Sequence, residues 1–184
     1  MPKIFKRTQA VFVGVDPGQS NGGLAALDYD GNVIKADPMP TTEYDILRWF
    51  EELAHVFLQK GTPVKAAIEK VHAMPEQGSQ SGFDFGGNYH ALRMAMLALR
   101  IPFMDPTPQA WMKALGVTVV AKAGKKKHQI KADRKEKLRA FAQQTFPTLP
   151  VWSQPKSLGK QRAVADALLI AHYRRLIEIG GLQS

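Results

Sequence analysis

Three apolar segments follow one another near the start of the chain, and their order limits the folds that are possible. Residues 10–16 form a valine-rich run that predicts a buried strand, and residues 22–29 and 33–36 predict two more. Asp30-Gly31 separates the second segment from the third, and this dipeptide favours a hairpin because it tolerates positive φ. The chain is therefore predicted to open with three antiparallel strands.

Helical and strand patterns then alternate to the end of the chain. Apolar residues three or four positions apart predict a helix that follows Thr42 and ends at Gly61. The same criteria predict further strands at 64–71 and 101–104, and helices from 83 onward and at 108–115, 132–146 and 160–179. This β-β-β-α-β-α-β-α-α-α order predicts a mixed α/β fold in one domain, residues 1–184, with mobile loops at 124–129 and 147–159.

The composition excludes several classes of protein. The chain has no cysteine, which rules out disulfides, thiolate metal sites and cysteine nucleophiles. Polar residues interrupt every apolar stretch before it reaches the roughly 18 residues that a membrane span needs, and the first residues lack the apolar core of a signal peptide. We therefore expect a cytoplasmic protein without a membrane partner.

Positive charge is concentrated in one segment. Lysine and arginine number 25 against 16 aspartate and glutamate residues, a net charge of +9, and residues 122–139 carry +7 of it. A basic segment on an otherwise nearly neutral domain is typical of a nucleic-acid-binding protein, and a solvated helix face or a flexible arm is the alternative. The candidate phosphate contacts are Lys122, Lys125, Lys126, Lys127, Lys131 and Arg134.

Three carboxylates lie inside or beside apolar segments, where an unpaired charge is costly. They are Asp16 at the end of the first strand, Glu69 near the end of the fourth and Asp166 in the last helix. If these strands are neighbours and the helix packs across them, the acids converge and require cations, for which Mg²⁺ and Mn²⁺ are the natural choices. Paired ions of this kind activate water and stabilise a leaving phosphate oxygen, which suits a nucleic-acid-binding chain. Taken singly, Asp16 also fits a turn, and Glu69 a strand end that reaches solvent.

Several motifs, in the correct order along residues 10–173, resemble those of RuvC-type Holliday junction resolvases, most closely the phage-encoded branch. The motifs are residues 13–18 (VGVDPG) with Gly22-Gly23, residues 67–71 (AIEKV), the polar, Gly-rich stretch 77–87, and residues 107–113, 132–135 and 164–171. The ordered set, rather than any one motif, carries the resemblance.

The resemblance implies a ribonuclease H-like fold, a mixed five-stranded sheet flanked by helices, in a homodimer without a nucleotide cofactor. It implies a DNA endonuclease that resolves four-way junctions by paired symmetric nicks and leaves 5′-phosphate and 3′-hydroxyl ends. By motif, Asp16, Glu69 and Asp166 take the catalytic, metal-binding positions for two Mg²⁺ or Mn²⁺ ions. Lys113 and Lys135 fall where the family has basic residues that serve DNA binding and catalysis, and an ordinary solvated lysine is the alternative for Lys135.

Two positions depart from the family pattern. The family usually has a fourth metal ligand one helical turn before the last aspartate, and here Arg162 and Ala163 occupy that region. His172 points about 120° away from Asp166 on a helix and is expected to be a surface or packed histidine. His72 stands where the family often has an aromatic wedge for the junction, and a wedge role for its imidazole is left open.

Two further segments, and the function of the whole chain, each have more than one interpretation. Gln77 and Ser79 are candidate contacts near the DNA crossover or members of a plain polar loop. The helix at residues 88–99 has small residues that suit a dimer interface, and an ordinary core helix is its alternative. The rival functions are a non-catalytic nucleic-acid-binding protein, a nuclease for flaps or RNA–DNA hybrids, and a fragment of an actin-like phosphotransferase, whose phosphate-binding hairpin residues 16–20 resemble.

Overall fold

A five-stranded sheet forms the centre of the computed structural model, which describes residues 9–71, 79–117, 126–154 and 158–182. The strands are β1 (Val11–Asp16), β2 (Gly23–Leu27), β3 (Val33–Pro38), β4 (Val64–Ile68) and β5 (Phe103–Met104). Their order across the sheet is β3-β2-β1-β4-β5; β1, β2 and β3 pair antiparallel, whereas β4 is parallel to β1 and β5 to β4. The predicted antiparallel opening and the mixed five-stranded sheet are both confirmed.

The α-helices that flank the sheet within these ranges follow the predicted order. They are α1 (Glu43–Phe57), α2 (Ser79–Ala98), α3 (Pro108–Ala114), α4 (Lys127–Thr145) and α5 (Leu158–Ile179). Pro150–Ser153 forms a short 3-10 turn inside the predicted loop at 147–159. None of the helices in the described part of the chain combines the length and the apolar character needed to cross a membrane.

The predicted start of α4 is wrong. The helix begins at Lys127 rather than at 132, so it takes up part of the predicted loop at 124–129. The N–H of Lys126 donates to Gln129 Oε1 at 3.0 Å and caps the helix, which begins earlier than the apolar pattern indicates. The basic residues from Lys127 onward therefore lie on a helix.

The packing of α5 on β1 positions the acids. Val13 and Val15 of β1 pack against α1 and α2 on one side of the sheet. Because side chains alternate along a strand, Asp16 points to the other side, which α5 covers. Gly14 lets α5 lie directly on the strand, since a Cβ there would be 2.1 Å from Ala167 O. The glycine thus brings the helix close to the carboxyl end of β1.

Candidate active site

The carboxyl ends of β1 and β4 bring Asp16 and Glu69 to one edge of the sheet. The strands are parallel neighbours in which Val15 pairs with Ile68, and the N–H of Glu69 donates to Val15 O at 2.9 Å. Residues that end neighbouring parallel strands lie side by side, and the two-residue alternation turns both carboxylates toward α5. Asp166 comes from a buried stretch of α5 whose other residues are apolar. The structure therefore brings the three predicted acids together.

A lysine from α4 lies between two of the acids. The Lys135 ammonium donates to Asp166 Oδ2, and its Nζ is 3.7 Å from Asp16 Oδ2. α4 packs along α5, and this packing carries the lysine to the carboxyl edge of the sheet. The side chains of Lys135, Asp16 and Asp166 are 24%, 12% and 7% exposed, so their charges are largely removed from water.

Glu69 is oriented by a tryptophan that the sequence analysis did not select. The indole Nε1 of Trp111, on α3, donates to Glu69 Oε2 at 2.9 Å, and Trp111 is almost fully buried. A buried indole N–H needs an acceptor, so a tryptophan in a short helix was a signal that a polar partner lies nearby. Because Trp111 and Glu69 are far apart in sequence, the sequence did not indicate that Glu69 is this partner.

Burial shifts the pKa of each acid upward. It raises the pKa of Asp16 to about 7, with support from the negative charge of Asp166 and against the opposing charge of Lys135. Burial also raises the pKa of Asp166, again against Lys135, and that of Glu69, against the Trp111 hydrogen bond. Each acid is therefore harder to ionise than it is in water, and positive charge placed next to it favours the ionised form.

Burial and neighbouring charges have opposite effects on the pKa of the Lys135 ammonium. Burial by itself acts to lower the pKa of Lys135, but the carboxylates of Asp166 and Asp16 outweigh it and the pKa is raised. The ammonium therefore stays protonated and serves as the cation of this site.

The chemistry of the donor set fits a hard divalent metal. Within the described part of the chain, Asp166 Oδ1 is buried and has no hydrogen-bond partner, so it is a vacant oxygen ligand beside two other carboxylates. Oxygen ligands of this type are those that Mg²⁺ and Mn²⁺ prefer. Among the described residues, no three acidic or histidine side chains form a ready metal-binding group as they stand, and Lys135 takes the place between Asp16 and Asp166.

A tight turn follows Asp16 and is anchored to α2. The N–H of Gly22 donates to Gly18 O at 2.7 Å, and a Cβ on Gly22 would be 2.2 Å from Asp16 O. Asn88 Nδ2 donates to Pro17 O at 2.8 Å and links the turn to α2. These contacts hold the backbone beside the acids in one conformation.

The structure describes part of the predicted DNA-contact set. The exposed members are Lys113, Lys126 and Lys131. Arg134 is half-buried, and its charge partly opposes the rise that burial causes in the pKa of Glu69 and of Asp166. Lys127 is the first residue of α4 and Ser79 the first of α2. The members that lie outside the described residues are His72, Gln77, Lys122 and Lys125.

The turn of α5 before Asp166 holds no acid and no histidine. Arg162 is four residues earlier, and its Nη2 lies 3.6 Å from Glu136 Oε2 on α4. Ala163 is buried. His172 packs edge-on against Phe146, with ring centroids 5.8 Å apart, and burial lowers its pKa. This turn of α5 therefore adds no acid or histidine to the carboxylates of Asp16, Glu69 and Asp166.

Comparison with known proteins bears on the fold. No protein-family model matches the sequence, and no curated protein matches it. Among solved structures, the chain is similar to T. thermophilus RuvC in complex with a Holliday junction substrate, with a TM-score of 0.56 and 17% identity over 95% of this chain and 98% of that one. A structure of Thermus thermophilus RuvC gives a TM-score of 0.56 at 16% identity, over 94% and 98% of the two chains. The chain has the ribonuclease H-like fold of RuvC that its motifs predict.

Proposed function

We propose that this protein is a metal-dependent endonuclease that resolves four-way DNA junctions by paired symmetric nicks, leaving 5′-phosphate and 3′-hydroxyl ends. The observation that carries the proposal is the convergence of Asp16, Glu69 and Asp166 at one sheet edge beside the basic helix α4. Buried acids with raised pKa values need cations, and basic residues beside them attract phosphates. The RuvC structure in complex with a Holliday junction substrate supports branched DNA as the substrate.

Each side chain has a distinct role in this proposal. The three carboxylates would hold Mg²⁺ or Mn²⁺, and Trp111 fixes the orientation of Glu69 through its hydrogen bond. The bound metal would supply a more acidic water and stabilise charge on phosphate oxygens. Lys131 and Arg134 would bind the DNA backbone and position it without reading bases.

An apolar stripe on α2 supports a homodimer. Phe83, Met94 and Leu97 are 78%, 61% and 57% exposed, and with the exposed Gly87 and His90 they alternate at spacings of four and three residues. This spacing is typical of the seam between two packed helices. The opposite face of α2 packs into the core with α1, so the helix has both an inner face and an outer one. A second copy on this stripe would supply the second active site that paired nicks need.

Sedimentation tests the dimer separately from the chemistry. Met94→Glu places a charge in the stripe and should shift the protein from dimer to monomer. Ile177→Glu, at an exposed position on α5, is the matched control and should leave the dimer intact. A monomeric wild-type protein at micromolar concentration would contradict the dimer.

A labelled synthetic four-way junction tests the nuclease. With Mg²⁺ or Mn²⁺ we expect nicks at symmetric positions in two opposing strands, and none in EDTA. Asp16→Asn should abolish cleavage and retain binding, because it removes a metal ligand but no positive charge. Asp105→Asn, which changes a half-exposed acid that lies 3.8 Å from Arg93, is the control that should still cut.

Other outcomes identify the rival functions. Binding without cleavage would indicate a non-catalytic junction-binding protein, and the absence of an acid one turn before Asp166 favours this second candidate. Equal cutting of linear duplex, flaps or RNA–DNA hybrids would refute junction selectivity. ATP hydrolysis without DNA would favour the actin-like phosphotransferase.

A further inference from the structure

We propose that the Lys135 ammonium occupies a cation-binding position of this site, and that a divalent ion which binds both Asp16 and Asp166 must first displace it. The inference rests on the metal-dependent function proposed above and concerns how the metal enters. It makes Lys135 an internal competitor for the metal rather than a helper in binding it.

The contacts of Lys135 are those of a bound cation. Its ammonium is hydrogen-bonded to Asp166 Oδ2 and lies 3.7 Å from Asp16 Oδ2, so one positive charge bridges two buried carboxylates. Asp166 Oδ1 is buried and has no hydrogen-bond partner among the described residues, which leaves one ligand oxygen without a positive charge or donor. A single ammonium therefore only partly satisfies an oxygen cluster that has room for more positive charge.

The ammonium and a divalent ion cannot share these oxygens. A metal that bridged Asp16 and Asp166 would bind oxygen at about 2.0–2.1 Å, and a lysine on the same oxygens would then lie within a few ångströms of it. Two positive charges at that separation repel strongly in a partly buried site. The flexible four-carbon stem of lysine lets the ammonium move away while α4 stays in place.

Arg134 provides a comparison for the influence of Lys135 on metal binding. It is the neighbour of Lys135 on α4, and its charge reaches Glu69 and Asp166. Among the described residues it forms no ion pair with either carboxylate. Removal of Arg134 therefore changes the local field without freeing a ligand, whereas removal of Lys135 does both.

Titration of metal-free, full-length protein with Mn²⁺ in the absence of DNA tests the inference. Calorimetry, or paramagnetic resonance of free Mn²⁺, would give the affinity of wild type, Lys135→Met and Arg134→Met. We expect the gain in affinity of Lys135→Met to exceed that of Arg134→Met by about tenfold or more, because only the former vacates the oxygens. The difference in Mn²⁺ affinity between Lys135→Met and Arg134→Met should persist at high salt, since contacts between buried charges are screened less than those at the surface.

A second variant and thermal melts show whether a change in affinity results from misfolding. Lys135→Gln keeps a hydrogen-bond donor near Asp166 but carries no charge, and it should also bind Mn²⁺ more tightly than wild type. Thermal melts in EDTA report whether each variant is folded, and Mn²⁺ should raise the melting temperature of the Lys135 variants more than that of wild type.

The results separate this inference from the proposed function. If both Lys135 variants bind Mn²⁺ no more tightly than Arg134→Met, while wild type cleaves junctions, the displacement is refuted and the nuclease stands. If no form of the protein binds Mn²⁺, the metal site and the displacement both fail.

Discussion

Replacement of Asp16 by asparagine should stabilise the metal-free protein, although it removes a proposed metal ligand. Burial, supported by the charge of Asp166, raises the pKa of the Asp16 carboxyl from its ordinary 3.8 to about 7. An acid whose pKa rises on folding destabilises the folded state once it ionises, and asparagine carries no charge to desolvate. The amide oxygen can still accept the hydrogen bond from the Gly18 backbone, so the local structure is kept.

The pKa values define how this effect depends on pH. Below about pH 4, Asp16 is protonated in both the folded and the unfolded chain and costs nothing. As the pH rises toward 7, only the unfolded chain loses the proton, so the folded state loses stability by about 1.4 kcal/mol per pH unit. The loss of folding free energy caused by Asp16 is about 2 kcal/mol at pH 5 and reaches about 4 kcal/mol at pH 8. At about 2–4 °C per kcal/mol for a chain of this length, the variant should melt about 10 °C above wild type at pH 8.

Thermal unfolding in EDTA between pH 5 and pH 8 measures the difference. The difference in stability between the two proteins reports the ionisation of Asp16 together with its electrostatic coupling to Asp166 and Lys135. Asp105→Asn is the control, and a half-exposed acid of this kind should change stability by less than about 1 kcal/mol. The reasoning is refuted if Asp16→Asn is no more stable than wild type at pH 8. It is also refuted if the difference in stability between the two proteins is the same at pH 5 and pH 8.

Three more substitutions test other parts of the structure. Gly14→Ala should destabilise the fold by about 3 kcal/mol or more, because its Cβ meets the backbone of α5, whereas Gly159→Ala, with open space around it, should change stability by less than about 1 kcal/mol in the same melts. Trp111→Phe keeps the buried ring but loses the hydrogen bond to Glu69, and Mn²⁺ titration should show affinity about tenfold weaker; unchanged affinity would mean that Glu69 needs no orientation. Lys131→Met should reduce the salt dependence of junction binding by about 0.9 in the slope of log K against log[salt], and an unchanged slope would remove this lysine from the interface.

Local patterns were sufficient to predict the order of the elements and to single out three acids that the fold brings together. Alternation and helical spacing depend on residues close in sequence, which is why the three opening strands and the five α-helices of the described residues could be located. Asp166 was recognisable because a carboxylate within a buried, apolar helix needs a reason to be there. The start of α4 was missed because its cap involves polar residues, Lys126 and Gln129, to which a hydrophobic pattern is blind.

Only the tertiary structure decided which partners the acids have. Several basic residues lie along residues 122–139, and their charge pattern does not distinguish the one that meets the carboxylates, although the motif resemblance favours Lys135. The rotation of α4 against α5 makes Lys135 that residue, and the position of α3 gives Trp111 to Glu69. Contacts of this kind join residues far apart in sequence and depend on how whole elements pack. The sequence thus indicated that a cation belongs among these acids, and the packing of α4 showed that a lysine already takes that place.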